Sequence, residues 1–286
     1  MRLSVLFDLD FSLCCGQVFR WRKLDGWWYG VVGDKVIKIR QCGCELEFEG
    51  ADEEFVRRYF RLDDDLTEIG RCVDRDGYIH SALTQYAGLR LVRQEPWNCL
   101  VGFICSIQKN IPAIENMLQQ MSTRFGEEHE FDGKTFYHFP TAKQLALASE
   151  SGLRECSLGF RAKYVKATAQ KIVDENFDLN SLRQLPYLEA RSKLLEFMGV
   201  GLKVADCVLL FSLDKTEAFP VDVWVKRVIL NHYSDKLSPE LVKRLQSRQT
   251  LTNGEYMKIG DFARSYFGAY AGYAQEYLYH YERTQR

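Results

Sequence analysis

The tightest constraint on this chain is a pair of glycines one residue apart, Gly199 and Gly201, set between two helical patterns in the stretch from Phe197 to Val223. An apolar helix end, a Gly199-Val200-Gly201 turn, a second helix and a Pro220-Val221-Asp222 turn into a third helix follow one another there. Glycine tolerates the backbone angles of a tight reversal, and the next helix start then presents unpaired N–H groups. Such an end suits a negative group, with a phosphate as the natural candidate. Lys203 is the only cation in the first turn of that second helix. Val204, Ala205 and Cys207 follow it, so its amine sits among apolar neighbours. Asp222 is placed to N-cap the helix that runs through Trp224, Val225 and Val228, where its carboxylate can also be held near Lys203.

Residues 1–90 read mostly as strands, at 3–9, 17–21, 27–32, 36–40 and 45–48, separated by turn signals such as Asp25-Gly26 and Gly33-Asp34. An antiparallel sheet is the economical arrangement. One helix is expected over 52–60, before the acidic triplet Asp63-Asp64-Asp65, which reads as a solvated loop ahead of a metal site. From about 91 the periodicity is helical: 97–107, 111–125, a hairpin at Asp132-Gly133, a helix capped by Thr141, then 161–173, 188–197, a start at Ser238-Pro239, 256–267 and 272–283. The fold class is α+β, with an N-terminal antiparallel β domain over 1–90 packed on a mainly helical domain over 91–286.

Lys plus Arg number 38 against 39 for Asp plus Glu, so the chain as a whole carries no electrostatic footprint for nucleic acid. A nucleic-acid partner would have to be held by helix N-termini, turn amides and a local patch. No signal peptide and no apolar run of membrane-spanning length is visible, which points to an intracellular chain with no membrane partner. Nine cysteines without paired metal spacing read as reduced thiols, and no metal site is expected.

The run Gly199-Val200-Gly201-Leu202-Lys203-Val204-Ala205-Asp206-Cys207, followed by Pro220-Val221-Asp222-Val223-Trp224, resembles the helix-hairpin-helix and catalytic Lys/Asp segment of the 8-oxoguanine DNA glycosylases. Further motifs extend the resemblance in order from Phe7 to Tyr279. Gly16-Gln17-Val18-Phe19-Arg20-Trp21 is similar to the family's Ser-Gly-Gln-x-Phe-Arg-Trp stretch with Cys15 in place of serine. Gly272-Tyr273-Ala274-Gln275 is similar to its Gly-x-Ala-Gln element.

The resemblance implies a bifunctional base excision enzyme acting on double-stranded DNA that contains 8-oxoguanine. Lys203 would attack the anomeric carbon of the sugar, expel the base and form a Schiff base that permits β-elimination; Asp222 would orient or deprotonate it. Free lysine, with a pKa of about 10.4, is neutral in only about one molecule in a few thousand at pH 7, a fraction that apolar burial raises. In family terms the Gly16 carbonyl accepts the ring N–H that distinguishes 8-oxoguanine from guanine. Cys207 and Tyr279, the latter replacing phenylalanine, would sandwich the base, and Gln275 would bond its Watson–Crick edge. Gln108, replacing asparagine, would fill the vacated position in the duplex, with Phe160 and Arg161 as the wedge and reader of the opposite base. Gly199, Val200 and Gly201 would hold a phosphate.

Three departures qualify the match. Ala113 stands where eukaryotic members place an arginine, and losing a bidentate arginine removes roughly 1–3 kcal/mol of base discrimination, so a relaxed preference for the opposite base is expected. Trp224 replaces a histidine, and no cysteine follows Cys207, which excludes the iron-sulfur cluster some relatives carry there. These features suggest the prokaryotic-like branch. No cofactor is required by this chemistry, although hairpins of this type offer carbonyls to a structural monovalent cation. A monomer is expected, cytoplasmic and nucleoid-associated if prokaryotic, nuclear if eukaryotic. The alternatives are a glycosylase for another lesion, which typically lacks the lysine, and a non-catalytic damaged-DNA-binding hairpin module, which needs neither Lys203 nor a base pocket.

Overall fold

Four short strands near the N-terminus, rich in aromatic and β-branched residues, pair as a simple meander. In the computed structural model, which describes residues 5–285, helix α1 (Leu9–Cys14) precedes β1 (Trp21–Leu24), β2 (Trp27–Val32), β3 (Lys35–Cys42) and β4 (Glu45–Glu49), antiparallel and adjacent in chain order. Asp25 and Gly26 take φ of 50° and 82°, the left-handed angles that a two-residue hairpin turn requires. Trp28 stands opposite Ile39 and Ile39 opposite Phe48. This row packs with Trp21, Leu46 and residues of α2 (Glu53–Tyr59) into the smaller of two apolar cores.

The expected strand over 3–9 is not formed. Leu3 and Ser4 lie outside the described residues, Val5 to Asp8 are irregular, and Leu9 opens α1 because the Asp8 carboxylate caps it, accepting from the Phe11 N–H at 2.7 Å. Nor does a strand occupy 17–20; β1 begins at Trp21. Two helices appear where none was expected, α3 (Leu66–Val73) and α4 (Gly77–Gln85), each opened by an aspartate. Asp65 accepts from the Thr67 and Glu68 N–H groups, both at 3.0 Å. Asp63 and Asp65 are exposed, whereas half-buried Asp64 accepts from the Tyr273 hydroxyl at 2.7 Å and faces Arg61 and Arg93. Among the described residues no three His, Cys, Asp or Glu side chains are grouped to hold a metal.

The remainder is helical: α5 (Pro96–Cys105), α6 (Ile111–Phe125), a hairpin of β5 (Glu128–Phe131) and β6 (Lys134–Tyr137), then α7 (Ala142–Leu147), α8 (Glu150–Leu153), α9 (Arg161–Asp174), α10 (Tyr187–Leu195), α11 (Leu202–Ser212), α12 (Val223–His232), α13 (Pro239–Ser247), α14 (Asn253–Phe267) and α15 (Ala271–Thr284). Every residue of α11 except Lys203 is buried, as befits a central helix whose sides are apolar apart from Asp206 and Ser212. Helices α3, α4 and α15 belong to the same larger core. No described helix is long and apolar enough to cross a membrane.

Gln17 joins the two parts. Its side chain, fully buried, donates to the carbonyls of Ser12 and Arg90 at 2.8 Å each and accepts from the Val92 N–H at 2.9 Å. The Arg90 guanidinium in turn reaches the carbonyls of Leu6 and Asp64, both at 2.9 Å, and that of Arg61. The loop that carries Gly16 is thereby fixed to the connector that enters α5. Replacing Gln17 by Leu leaves the Arg90 carbonyl and the Val92 N–H unpaired at roughly 1–3 kcal/mol each and the Ser12 carbonyl with only the weak Cys15 thiol donor. Urea unfolding of Gln17→Leu should therefore show a loss of about 2 kcal/mol or more; a loss under about 1 kcal/mol would show that the freed groups find other partners.

Candidate active site

Helix α11 starts without a side-chain cap among the described residues. Its first turn therefore offers backbone N–H groups outward, beside the exposed Gly201. Gly199 takes φ of +82°, and a Cβ there would lie 2.5 Å from the Tyr164 ring. Only glycine satisfies both the angle and the packing. Val200 is buried and anchors the turn.

One cavity of about 550 Å³ lies beside this turn, and Gly16, Lys203, Cys207, Asp222, Gln275 and Tyr279 all line it. Six residues spread over 264 positions of sequence (279 minus 16, both ends counted) thus meet at one place. Half-buried Lys203 donates from Nζ to Ser106 Oγ at 3.2 Å, and its ammonium sits 5.0 Å from the centre of the Phe103 ring. The Ser106 hydroxyl donates to the Phe103 carbonyl at 2.7 Å, so its oxygen is turned to accept. Asp222 caps α12, accepting from the Trp224 and Val225 N–H groups at 2.9 Å each. Burial raises the pKa of its carboxyl above the usual aspartate value; the two N–H donors and the charge of Lys203 oppose that rise.

The spacing between these two groups is set from below. Asp206, one turn along α11 and 1% exposed, accepts from Tyr187 at 2.8 Å and from Tyr256 at 2.7 Å. The same Tyr256 oxygen accepts the Val221 N–H at 3.3 Å, which ties the turn before Asp222 to the helix bearing Lys203.

Gly16 takes φ of +103°, and an added Cβ would stand 3.1 Å from Ile111 Cδ1 and 3.4 Å from the Tyr279 ring. The closeness of Tyr279 shows how nearly α15 approaches this loop. Arg283 completes the approach, donating to the Cys14 carbonyl at 2.8 Å while lying 5.3 Å from the Tyr279 ring centre. Cys207 is buried, which pushes its thiol up to about 12. Gln275 is 4% exposed, with its Oε1 unpaired among the described residues.

The residues expected to enter the duplex are placed less uniformly. Gln108 is exposed with φ of +53°, and Phe160 is 45% exposed beside it in the fold's outer loops. Arg161 is buried instead. Its guanidinium donates to the Ile107 carbonyl at 2.9 Å from Nε and to the Leu158 carbonyl at 3.2 Å, so it braces the loop that carries Gln108 and is not presented outward. Ser106 and Glu276, neither singled out from the sequence, also line the cavity. A serine gives no local signal that it will face a lysine 97 positions away.

Known proteins place this architecture. Residues 2–100 match the family model described as 8-oxoguanine DNA glycosylase, N-terminal domain, and residues 101–249 that of the HhH-GPD superfamily base excision DNA repair proteins. The chain is 34% identical to the N-glycosylase/DNA lyase of Saccharomyces cerevisiae, covering 85% of this chain and 69% of that protein. It is 31% identical to N-glycosylase/DNA lyase OGG1 of Arabidopsis thaliana, over 95% and 76% respectively. Its fold superposes with a TM-score of 0.87 on the Clostridium acetobutylicum 8-oxoguanine glycosylase/lyase in complex with double-stranded DNA containing cytosine opposite 8-oxoG, at 34% identity over 98% of this chain and 92% of that one. A chain that matches both models in tandem and the lyases along most of its length belongs to the 8-oxoguanine DNA glycosylase/lyase family of the HhH-GPD base excision repair superfamily.

Proposed function

We propose that this enzyme removes 8-oxoguanine from duplex DNA and cleaves the resulting abasic site, with Lys203 as the nucleophile and Asp222 as its partner. The observation that carries this reading is the convergence of an amine, a carboxylate, a buried glutamine and an aromatic ring on one cavity of about 550 Å³. The target nucleotide must leave the stack, at a cost of a few kcal/mol, before its sugar can reach Lys203. The exposed N-terminus of α11 holds a backbone phosphate while the base enters between Cys207 and Tyr279.

The Lys203 amine, deprotonated, bonds to C1′ as the bond to the base breaks and the base departs with that electron pair. Asp222 stabilises the positive charge that develops on the sugar and accepts the proton released from the amine. The nitrogen lone pair then forms the Schiff base as the C1′–O4′ bond breaks, O4′ leaving with its electron pair and taking the proton held by Asp222, and removal of a C2′ proton expels the 3′ phosphate. Ser106 and the Phe103 ring keep the amine directed into the cavity through a hydrogen bond and a cation–π contact.

Two measurements test the reading. Incubation with an 8-oxoguanine duplex and borohydride should give a covalent complex and strand cleavage with wild type and neither with Lys203→Gln, which should still bind; a trapped complex from Lys203→Gln would move the nucleophile elsewhere. The opposite base gives the second. Half-buried Ala113 has no charged reach, and Arg161 is committed to backbone carbonyls, so single-turnover excision opposite cytosine and opposite adenine should differ by less than about tenfold. A strict requirement for cytosine would overturn that expectation.

A further inference from the structure

One acid in the cavity has no part in the chemistry above. Glu276 follows Gln275 on α15, is 2% exposed and lines the same cavity. Its Oε1 has no hydrogen-bond partner among the described residues, and neither does Oε1 of Gln275. Buried acceptors are almost always paired, and two consecutive ones left bare beside a cavity mark a place where a ligand brings the donors. We propose that Glu276 is a specificity-determining residue of the base pocket, accepting an N–H of the extruded purine alongside Gln275; this rests on the base-excision reading given above.

The chemistry of the lesion suits such a pair. 8-Oxoguanine carries N–H groups at N1, at the exocyclic amine and at N7, more donors than one glutamine oxygen can take. A site built around two acceptors rejects bases that cannot supply both donors, because the unmatched oxygen stays buried and unpaired. The groups that face Glu276 are the Cys15 thiol from the Gly16 loop, Lys203 and Cys207 from α11, Asp222 before α12, and Tyr279 and Arg283 on its own helix. Burial dominates among them and pushes the Glu276 carboxyl up to about 7, with Asp222 adding to the rise and Cys15, Arg283 and Lys203 opposing it. The ionised, purely accepting form therefore gains as the pH rises through neutrality.

The test compares two rates for each protein, excision from an 8-oxoguanine duplex and borohydride trapping on a duplex with a preformed abasic site, which presents no base. In Glu276→Ala the ratio of excision to trapping should fall about tenfold or more. Glu276→Gln keeps an oxygen acceptor and should hold the ratio within about threefold of wild type, while lacking the rise of that ratio through pH 7 expected of wild type. Equal losses of both rates in Glu276→Ala would assign the residue to packing and overturn the inference, as would an unchanged ratio or a ratio that still rises through pH 7 in Glu276→Gln. Wild type that traps on the abasic duplex but leaves 8-oxoguanine in place would overturn the excision reading, and this inference with it.

Discussion

The geometry of the site depends on one buried carboxylate. Asp206 lies on the most enclosed helix of the molecule, and its two oxygens are satisfied by hydroxyls from α10 and α14. Taking a carboxylate out of water is unfavourable unless donors replace the lost hydration. Tyr187 and Tyr256 supply them, and Arg191 and Arg264 stand behind Tyr187 at 2.8 and 3.1 Å. Because the Tyr256 oxygen also receives the Val221 N–H, the network sets the distance between the helix carrying the amine and the turn carrying Asp222. A hydrophobic replacement could fill the same space, but it would not fix that turn.

A second constraint brings the N-terminal part into the site. The sheet contributes no residue to the six that meet in the cavity; it holds the start of α1, where Gln41 bonds the Leu9 N–H and the Phe7 carbonyl and Trp28 donates to Asp10, while Gln17 and the connector at 90–94 fix the Gly16 loop that follows. The tip of the β5–β6 hairpin is held to the same sheet, where Asp132 accepts from Tyr29 at 2.5 Å and pairs with Lys38 at 3.0 Å. The two cores are thus joined by polar bolts rather than by a continuous apolar seam. The last helix closes the arrangement by bringing Tyr279 and Arg283 against a loop met at the start of the chain.

Much of this was legible in the sequence because the decisive groups are dictated locally. A Gly-Val-Gly reversal, a Pro-Val-Asp cap and the long periodic helices α6, α9, α14 and α15 each follow from nearest-neighbour chemistry. The misreadings share a cause. Leu3 to Leu9 alternates like a strand, yet a single aspartate cap turns its end into α1, and α3 and α4 are short helices whose starting aspartates resemble loop residues. Arg161 and Ser106 illustrate the other limit: what their polar groups meet is decided by elements more than fifty positions away, which spacing does not encode.

The buried thiols at and near the cavity carry a consequence for durability. The thiolate is the form that oxidants attack, and burial, which pushes the Cys207 thiol up to about 12, keeps that form scarce at neutral pH. Full burial and the acid beside it raise the Cys15 thiol well above its usual value too. An enzyme of this family works where oxidants have already damaged DNA. A buried sulfur kept as the neutral thiol gives the cavity a soft, polarisable wall with little of the charged form that oxidants attack.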